Sequence, residues 1–164
     1  DLIGFVDADL STSPEAFYDL ILNIKDNDGI IASRALKNSK ILTKQSWHRR
    51  FSGKSFSFIV NSVLSLDFYD TQCGAKLFKK EAIKKIYKQI IITGWAFDIN
   101  ILYLMKLYNF KVIEIPTIWT DSKTKSKLNI RKAVPEMFLS IIKLRLVYSK
   151  LKFIMPLYNK IFKK

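Results

Sequence analysis

The sequence predicts an α/β domain in which helices flank a central sheet. Three observations lead to this prediction. Apolar runs of strand length alternate along the chain with segments whose apolar residues repeat at helical spacing. A helix start of the Ser-Pro-Glu type, at residues 13–15, follows the first apolar run. The 164 residues, 49% of them hydrophobic and 26% charged, suffice for one domain with a core of its own.

The first half of the chain supplies two strands and a helix. Residues 2–6 form a short apolar run, which predicts a buried strand of a parallel sheet. The helix that starts at Ser13 has an apolar face made of Phe17, Leu20, Ile21 and Ile24. A turn at residues 27–29 leads into a second strand over residues 29–32.

The second half continues the alternation. Residues 35–46 predict a polar loop. A helix over residues 47–66 follows, with the core candidates Phe51, Phe58, Ile59, Val63 and Leu66. The remaining elements are a strand at 75–78, helices at 79–87 and 97–108, a left-handed helix end at Asn109 and a strand at 111–119.

The C-terminal segment mixes apolar and basic residues. After a polar loop at 120–129, a long helix is predicted from about Arg131, broken near Pro156. We expect residues 1–135 to form the main domain and residues 136–164 a helical tail. Cations interrupt residues 137–161 too often for a membrane span, which favours a helix on the membrane surface. A helix packed on the sheet, or on a partner, is the alternative.

The net charge of +14 predicts an anionic partner: nucleic acid, anionic lipid or a phosphorylated substrate. A lysine-rich surface that only maintains solubility is the other interpretation. The single cysteine, Cys73, excludes an internal disulfide and is typical of a reducing compartment. The chain opens inside an apolar run, so we expect a fragment whose upstream part is missing.

Asp7 and Asp9 are the strongest local signal for chemistry. In extended backbone, residues two apart point to the same side, so both carboxylates can converge at the end of the first strand. Two carboxylates there suit a hard divalent cation, Mg²⁺ or Mn²⁺, that also holds substrate phosphates. Two solvated loop aspartates are the alternative.

Further polar side chains follow other apolar segments. Arg34 ends the second strand and predicts an anion site at the same sheet edge, with a surface arginine as the alternative. Asp98 begins a helix, where it is either a site acid or a carboxylate favoured by the helix dipole. Cys73 has no partner pattern for a nucleophile. The other candidate donors to anions are Arg49, Lys127 and Arg131.

These segments, taken in order, resemble one family. The chain contains VDADLSTSPE (6–15), ASR (32–34), DTQCGAKLF (70–78), GWAFDINIL (94–102), EIPTIW (114–119) and SK (126–127). This order is similar to that of family-2 glycosyltransferases of the dolichyl-phosphate glucosyltransferase and mannosyltransferase type. The resemblance covers about residues 1–135, and the DTQCG segment points to the glucosyltransferase branch.

The resemblance implies the nucleotide-diphospho-sugar transferase (GT-A) fold and an inverting transfer. The donor would be a nucleotide-sugar, UDP-glucose in this branch, and the acceptor a polyprenyl or dolichyl phosphate at the cytoplasmic face of a membrane, with no nucleic acid involved. Asp7 and Asp9 would bind the metal, and Asp70 and Asp98 would be site acids. The phosphate-binding residues would be Arg34, Arg49, Gln72, Lys127 and Arg131.

Two departures from the family pattern matter. The family has a glutamate two residues after the Phe-Asp acid, where this chain has Asn100. The family's first strands, which hold the nucleotide base, are also not found in this sequence. A noncatalytic fragment of such an enzyme and a basic module that binds anions or nucleic acid are therefore the competing hypotheses.

Overall fold

A mixed four-stranded sheet lies at the centre of the fold. The structure, a computed structural model, describes residues 1–43, 47–121 and 130–162, without the side chains of residues 47–52, 54 and 130–132. In spatial order the strands are β1 (Leu2–Phe5), β4 (Lys76–Lys79), β2 (Gly29–Ser33) and β5 (Val112–Pro116). β2 and β5 are parallel, whereas β4 runs antiparallel to both β1 and β2. The ends of β1 and β2 therefore meet the beginning of β4 at one edge of the sheet.

Helices cover both faces of this sheet, as predicted. Strand side chains alternate between the faces. Ile30, Ala32 and Leu77 pack against helix α1 (Pro14–Asn23), while Ile31 and Phe78 belong to a larger core on the other face. That core contains residues of α2 (Trp47–Leu64), α3 (Lys80–Ile86), α4 (Phe97–Leu107) and α5 (Ile130–Val147). The α/β fold class is confirmed.

The start of α1 is also confirmed. Ser13 Oγ accepts a hydrogen bond from Ala16 N at 3.2 Å, and Pro14 is the first helical residue. Of the predicted apolar face, Leu20 and Ile24 are buried, but Ile21 is exposed. Asn109 has the left-handed backbone expected of a helix end, with φ 56°.

The first strand differs from its prediction. β1 pairs antiparallel with β4, so it is not a strand with parallel neighbours only, as was predicted. An apolar run predicts a strand but not the direction of its neighbours, and β4 enters between β1 and β2, antiparallel to both. The predicted loop at 35–46 likewise contains a two-residue strand, β3 (Lys40–Ile41), which pairs in parallel with β6 (Ile118–Trp119).

Helix α2 matches its predicted core face only in part. Val63 packs, partly buried, against the main core, and the side chain of Phe51 lies outside the described residues. Val60 and Leu64 are fully buried, whereas Phe58 is 72% exposed and Ile59 lies at the surface. Leu66, just beyond the helix, is buried as predicted. Apolar residues occur on more than one side of this helix, so the spacing alone did not select the buried side.

The C-terminal segment forms three elements. α5 buries Ala133, Met137, Ile141 and Leu144 along one side, and Ile141 and Leu144 join the main core. A 3-10 helix (Lys150–Ile154) and α6 (Met155–Phe162) follow, so the long helix ends well before Pro156. Pro156 lies in the first turn of α6, where proline is tolerated.

This arrangement bears on the predicted tail. α5 packs on the rest of the domain, which was the alternative to a helix on the membrane surface. Tyr158 Oη in α6 donates a 2.9 Å hydrogen bond to Leu139 O in α5. The domain boundary between residues 135 and 136 stays a prediction, and it falls inside one continuous helix. Within the described ranges, no helix has both the length and the apolar character needed to cross a bilayer.

Candidate active site

The Asp7–Asp9 segment forms a turn at the end of β1. Leu10 N donates to Asp7 O at 3.2 Å, and Leu10 has a positive φ of 57°. Asp9 Oδ1 accepts from Ser11 N at 2.9 Å. The two carboxylates are therefore presented by a hydrogen-bonded turn and not by the extended backbone that we predicted, because the chain must reverse toward the helix start at Ser13.

The Asp7 carboxylate lies against Gly74. A Cβ added at Gly74 would lie 2.0 Å from the carboxyl carbon of Asp7, so only glycine leaves room for it. Loss of water contact around this carboxylate raises the pKa of Asp7, and the charges of Asp98 and Asp9 raise it further. The carboxylates of Asp9 and Asp98 thus both act on Asp7 at this edge of the sheet.

Lys76 carries a buried positive charge into the same region. It begins β4 and is fully buried, and its Nζ donates to Asp98 Oδ2 at 2.6 Å and to Cys73 O at 2.5 Å. Asp98 lies in the first turn of α4 and keeps 23% of its side chain exposed. The predicted site acid Asp98 is therefore held by a lysine that the sequence analysis did not identify.

Arg34 and Asp70 form a bidentate ion pair. Arg34 Nε and Nη2 donate to the two oxygens of Asp70 at 2.7 and 2.9 Å, and Arg34 N adds a third hydrogen bond at 3.0 Å. Burial by itself lowers the pKa of Arg34 and raises that of Asp70, which favours the neutral form of each group. Because the hydrogen bonds and attraction between the partners outweigh burial, the pKa of Asp70 is lowered and that of Arg34 is raised. Both groups stay charged at neutral pH.

Two further residues fix this ion pair. Glu114, in the middle of β5, accepts hydrogen bonds from Tyr69 N at 2.7 Å and Asp70 N at 2.9 Å. The guanidinium carbon of Arg34 lies 5.5 Å from the ring centroid of Trp119. A glutamate within an otherwise apolar strand was the sequence signal for the first of these contacts.

Asn100 has a structural function in the described part of the chain. It is fully buried, and its Oδ1 accepts from Ile91 N at 2.8 Å and Ile92 N at 2.9 Å. The side chain thus holds the segment before α4 and does not join Asp98. The departure from the family's glutamate at this position therefore leaves Asp98 and its bond to Lys76 in place.

Cys73 and Gln72 contribute to the turn that precedes β4. Cys73 is fully buried, its Sγ lies 3.9 Å from Thr12 Oγ1, and burial raises the pKa of its thiol. A buried thiol with a raised pKa is a poor nucleophile. Gln72 N donates to Asp70 Oδ1 at 3.3 Å. This hydrogen bond involves the backbone of Gln72, so the predicted role of its side chain stays a prediction.

Three predicted phosphate-binding residues are not placed by these contacts. Lys127 lies outside the described residues, as do the side chains of Arg49 and Arg131. Their roles stay predictions. The structure does bring together four of the predicted residues at one sheet edge. Asp9, Asp98 and Arg34 all lie close enough to Asp7 to influence the pKa of its carboxyl.

The carboxylates fit part of the coordination sphere of a hard divalent cation. Asp9 is close enough to Asp7 to raise the pKa of the Asp7 carboxyl. In the described ranges, no three His, Cys, Asp or Glu side chains gather closely enough to hold a metal alone. Mg²⁺ is commonly bound by one or two carboxylates plus substrate phosphates and water, so a pair is sufficient.

Comparison with known proteins identifies relatives of the chain, although no protein-family profile matches it. A dolichyl-phosphate beta-glucosyltransferase of Dictyostelium discoideum is 34% identical over 149 residues, which are 87% of this chain and 45% of the relative. The protein of that name from Drosophila melanogaster is 34% identical over 71% of this chain and 38% of its own length. One from Trichomonas vaginalis is 30% identical over 82% of this chain and 42% of its length.

The chain spans less than half the length of these curated relatives. The chain nevertheless contains the turn with Asp7 and Asp9, the Arg34–Asp70 pair and the Lys76–Asp98 pair within a sheet flanked by helices. The chain therefore belongs to the family-2 glycosyltransferases of the dolichyl-phosphate beta-glucosyltransferase type.

Proposed function

We propose that the protein carrying this chain transfers glucose from UDP-glucose to a dolichyl or polyprenyl phosphate, with inversion at the anomeric carbon. The observation that carries the proposal is the gathering of Asp7, Asp9 and Asp98 beside the ion-paired Arg34 at one sheet edge. The names of the relatives support the sugar and the acceptor.

Asp7 and Asp9 would hold Mg²⁺ or Mn²⁺, which when bound would neutralise the diphosphate of the leaving nucleotide. The turn at Leu10 presents these carboxylates, and Gly74 provides the space for one of them. Asp9 uses Oδ1 to hold Ser11 N, so this acid also fixes the turn that positions it.

Arg34 would bind a phosphate of donor or acceptor. Its Nε and Nη2 point to Asp70, yet 29% of its side chain is exposed, and its remaining N–H groups can reach an anion from that side. Asp70 fixes the orientation of the guanidinium in advance. Such pre-ordering lowers the entropic cost of holding two repelling anions in line.

A phosphate monoester acceptor needs little help from a base. Its second pKa is about 6, so it is largely dianionic at neutral pH and already a nucleophile. Asp70 accepts two hydrogen bonds from the Arg34 side chain and has a lowered pKa, which makes it an orienting group. Asp98, bonded to Lys76, has the same kind of role.

The C-terminal elements would bring the site to the cytoplasmic surface of a membrane. Exposed apolar side chains are concentrated after α5: Leu151, Phe153, Leu157, Ile161 and Phe162. Lys150, Lys152 and Lys160 lie among them and are exposed. Apolar side chains with interspersed cations are typical of segments that lie in the interface of an anionic bilayer.

The experiment uses the intact protein, labelled UDP-glucose and a polyprenyl phosphate. We expect a chloroform-soluble product that mild acid releases, and loss of this product in EDTA or in Asp9→Asn. The asparagine Oδ1 still accepts from Ser11 N, so this variant removes the charge while keeping the turn. Full transfer in EDTA would contradict the metal role, and label found only in oligosaccharide would contradict the acceptor. No transfer by a folded parent protein would favour the noncatalytic alternative.

A further inference from the structure

Lys76 is a charged residue in a position where a strand normally carries an apolar one. It is fully buried within the run Ala75, Lys76, Leu77 and Phe78. Its Nζ lies 5.7 Å from the ring centroid of Phe5, so one side of the ammonium faces an aromatic surface. Removing an ammonium from water is costly unless its hydrogen bonds are replaced.

The hydrogen bonds that replace water around the Lys76 ammonium go to two different parts of the site. One hydrogen bond goes to Asp98 Oδ2 in the first turn of α4, and the other goes to Cys73 O in the turn before β4. The next residue in that turn is Gly74, which the Asp7 carboxylate touches. A single ammonium therefore connects α4, the turn and the carboxylate cluster.

We propose that Lys76 is a positioning residue for the sugar transfer, which fixes the Asp98 carboxylate and the Cys73–Gly74 peptide against which Asp7 packs. The inference rests on the proposed function. Lys76 does not touch substrate, because it is fully buried and both of its hydrogen bonds are internal. Its positive charge also opposes the repulsion among the carboxylates, so the cluster can form before ligands bind.

A positioning role has a consequence that a purely structural role lacks. Methionine matches the length of lysine and suits an apolar pocket. Removing one member of a buried ion pair is costly when the remaining charge stays buried without a partner. Asp98 is partly exposed and can turn toward water when Lys76 is absent. Lys76→Met should therefore leave a folded protein whose Asp98 is misplaced.

The test compares Lys76→Met, Asp98→Asn and the double variant in the intact protein. We expect an unfolding midpoint for Lys76→Met close to that of the parent. Its kcat should fall about 100-fold, the scale of loss for a catalytic group displaced by about 1 Å, with a smaller change in KM for the lipid phosphate. The double variant should be no slower than the slower single variant, since the two residues act as one unit.

Lys80→Met is the matched control, because Lys80 also pairs with a carboxylate, Asp1 at 2.8 Å, but at the surface. This variant should keep the parental kcat. If Lys76→Met does not fold, Lys76→Arg keeps the charge and changes the geometry, and its kcat should fall at least about tenfold. Parental kcat in a folded Lys76 variant, or losses that multiply in the double variant, would overturn the proposal. A parent protein that transfers no sugar would instead contradict the proposed function.

Discussion

The carboxylate of Asp7 occupies the space that a side chain at position 74 would fill, since a Cβ on Gly74 would lie 1.8 Å from Asp7 Oδ2. The glycine is required here by a close approach and not by its backbone conformation, because no described glycine has a positive φ. The DTQCG segment thus contains three features of the site. They are the ion-paired Asp70, the Cys73 carbonyl that accepts a hydrogen bond from Lys76, and the glycine that leaves room for the Asp7 carboxylate.

Gly74→Ala should displace the Asp7 carboxylate and weaken Mn²⁺ binding at least about tenfold, because one proposed ligand then points elsewhere. Titration calorimetry with Mn²⁺ measures this loss. Gly53→Ala is the control, since nothing lies within 4 Å of a Cβ at that position in α2. It should raise the free energy of unfolding by about 1 kcal/mol and leave Mn²⁺ binding unchanged. Equal Mn²⁺ affinity in both variants would exclude the role assigned to Asp7.

Asp70→Asn should lower the free energy of unfolding by about 3 kcal/mol at pH 7, because Arg34 then keeps a mostly buried charge without its partner. Urea unfolding measures this change. Glu81→Gln removes an acid from an exposed pair with Lys84 and should leave the unfolding midpoint unchanged. Similar midpoints for the two variants would mean that the Arg34–Asp70 pair adds little stability.

The same pair predicts a dependence on pH. The pKa of Asp70 is lowered in the folded protein, so its contribution to stability is complete above the ordinary value of 3.8. This contribution is lost as the pH falls from there through the folded value. The stability gap between the parent and Asp70→Asn should therefore be constant from pH 7 to about 5 and narrow below about 4. A gap that narrows already between pH 7 and 5 would contradict this assignment.

Asn100→Leu should lower the free energy of unfolding by about 2 kcal/mol or more, because the half-buried Ile91 N and the buried Ile92 N both lose their acceptor. Asn23→Leu is the matched control. Asn23 is exposed, and its Nδ2 donates to Asp19 O within its own helix, so little stability should be lost. Thermal unfolding of both variants distinguishes a structural Asn100 from a residue that matters only for transfer.

Replacement of Phe153, Leu157 and Ile161 by serine should weaken binding to anionic liposomes about tenfold or more, since exposed apolar area is lost. Cosedimentation at low and high salt separates this apolar contribution from that of the lysines. Phe58→Ser removes an equally exposed aromatic ring from α2 and should not change binding. Deleting residues 137–164 is a poorer test, because Ile141 and Leu144 belong to the core.

The sequence led to candidate site residues where an apolar strand ends in polar residues. Asp7 and Arg34 follow β1 and β2, so the rule that ligands bind beyond strand ends selected both as candidates, and their roles stay predictions. Lys76 and Glu114 were missed because each lies within an apolar strand, where a charged residue normally faces solvent. The burial of Lys76 and the half-buried position of Glu114 depend on contacts with Asp98 and with the 69–70 backbone, which come from distant parts of the chain.

The position of Lys76 in β4 constrains the number of residues between Asp70 and Lys76. Strand side chains alternate between faces, so one residue inserted between Asp70 and Lys76 would move the ammonium to the opposite side of the sheet. The other end of β4 offers no compensation, because α3 begins at Lys80, directly after the strand. We therefore expect related sequences to vary in the identity of residue 72 far more readily than in the number of residues that separate these two positions.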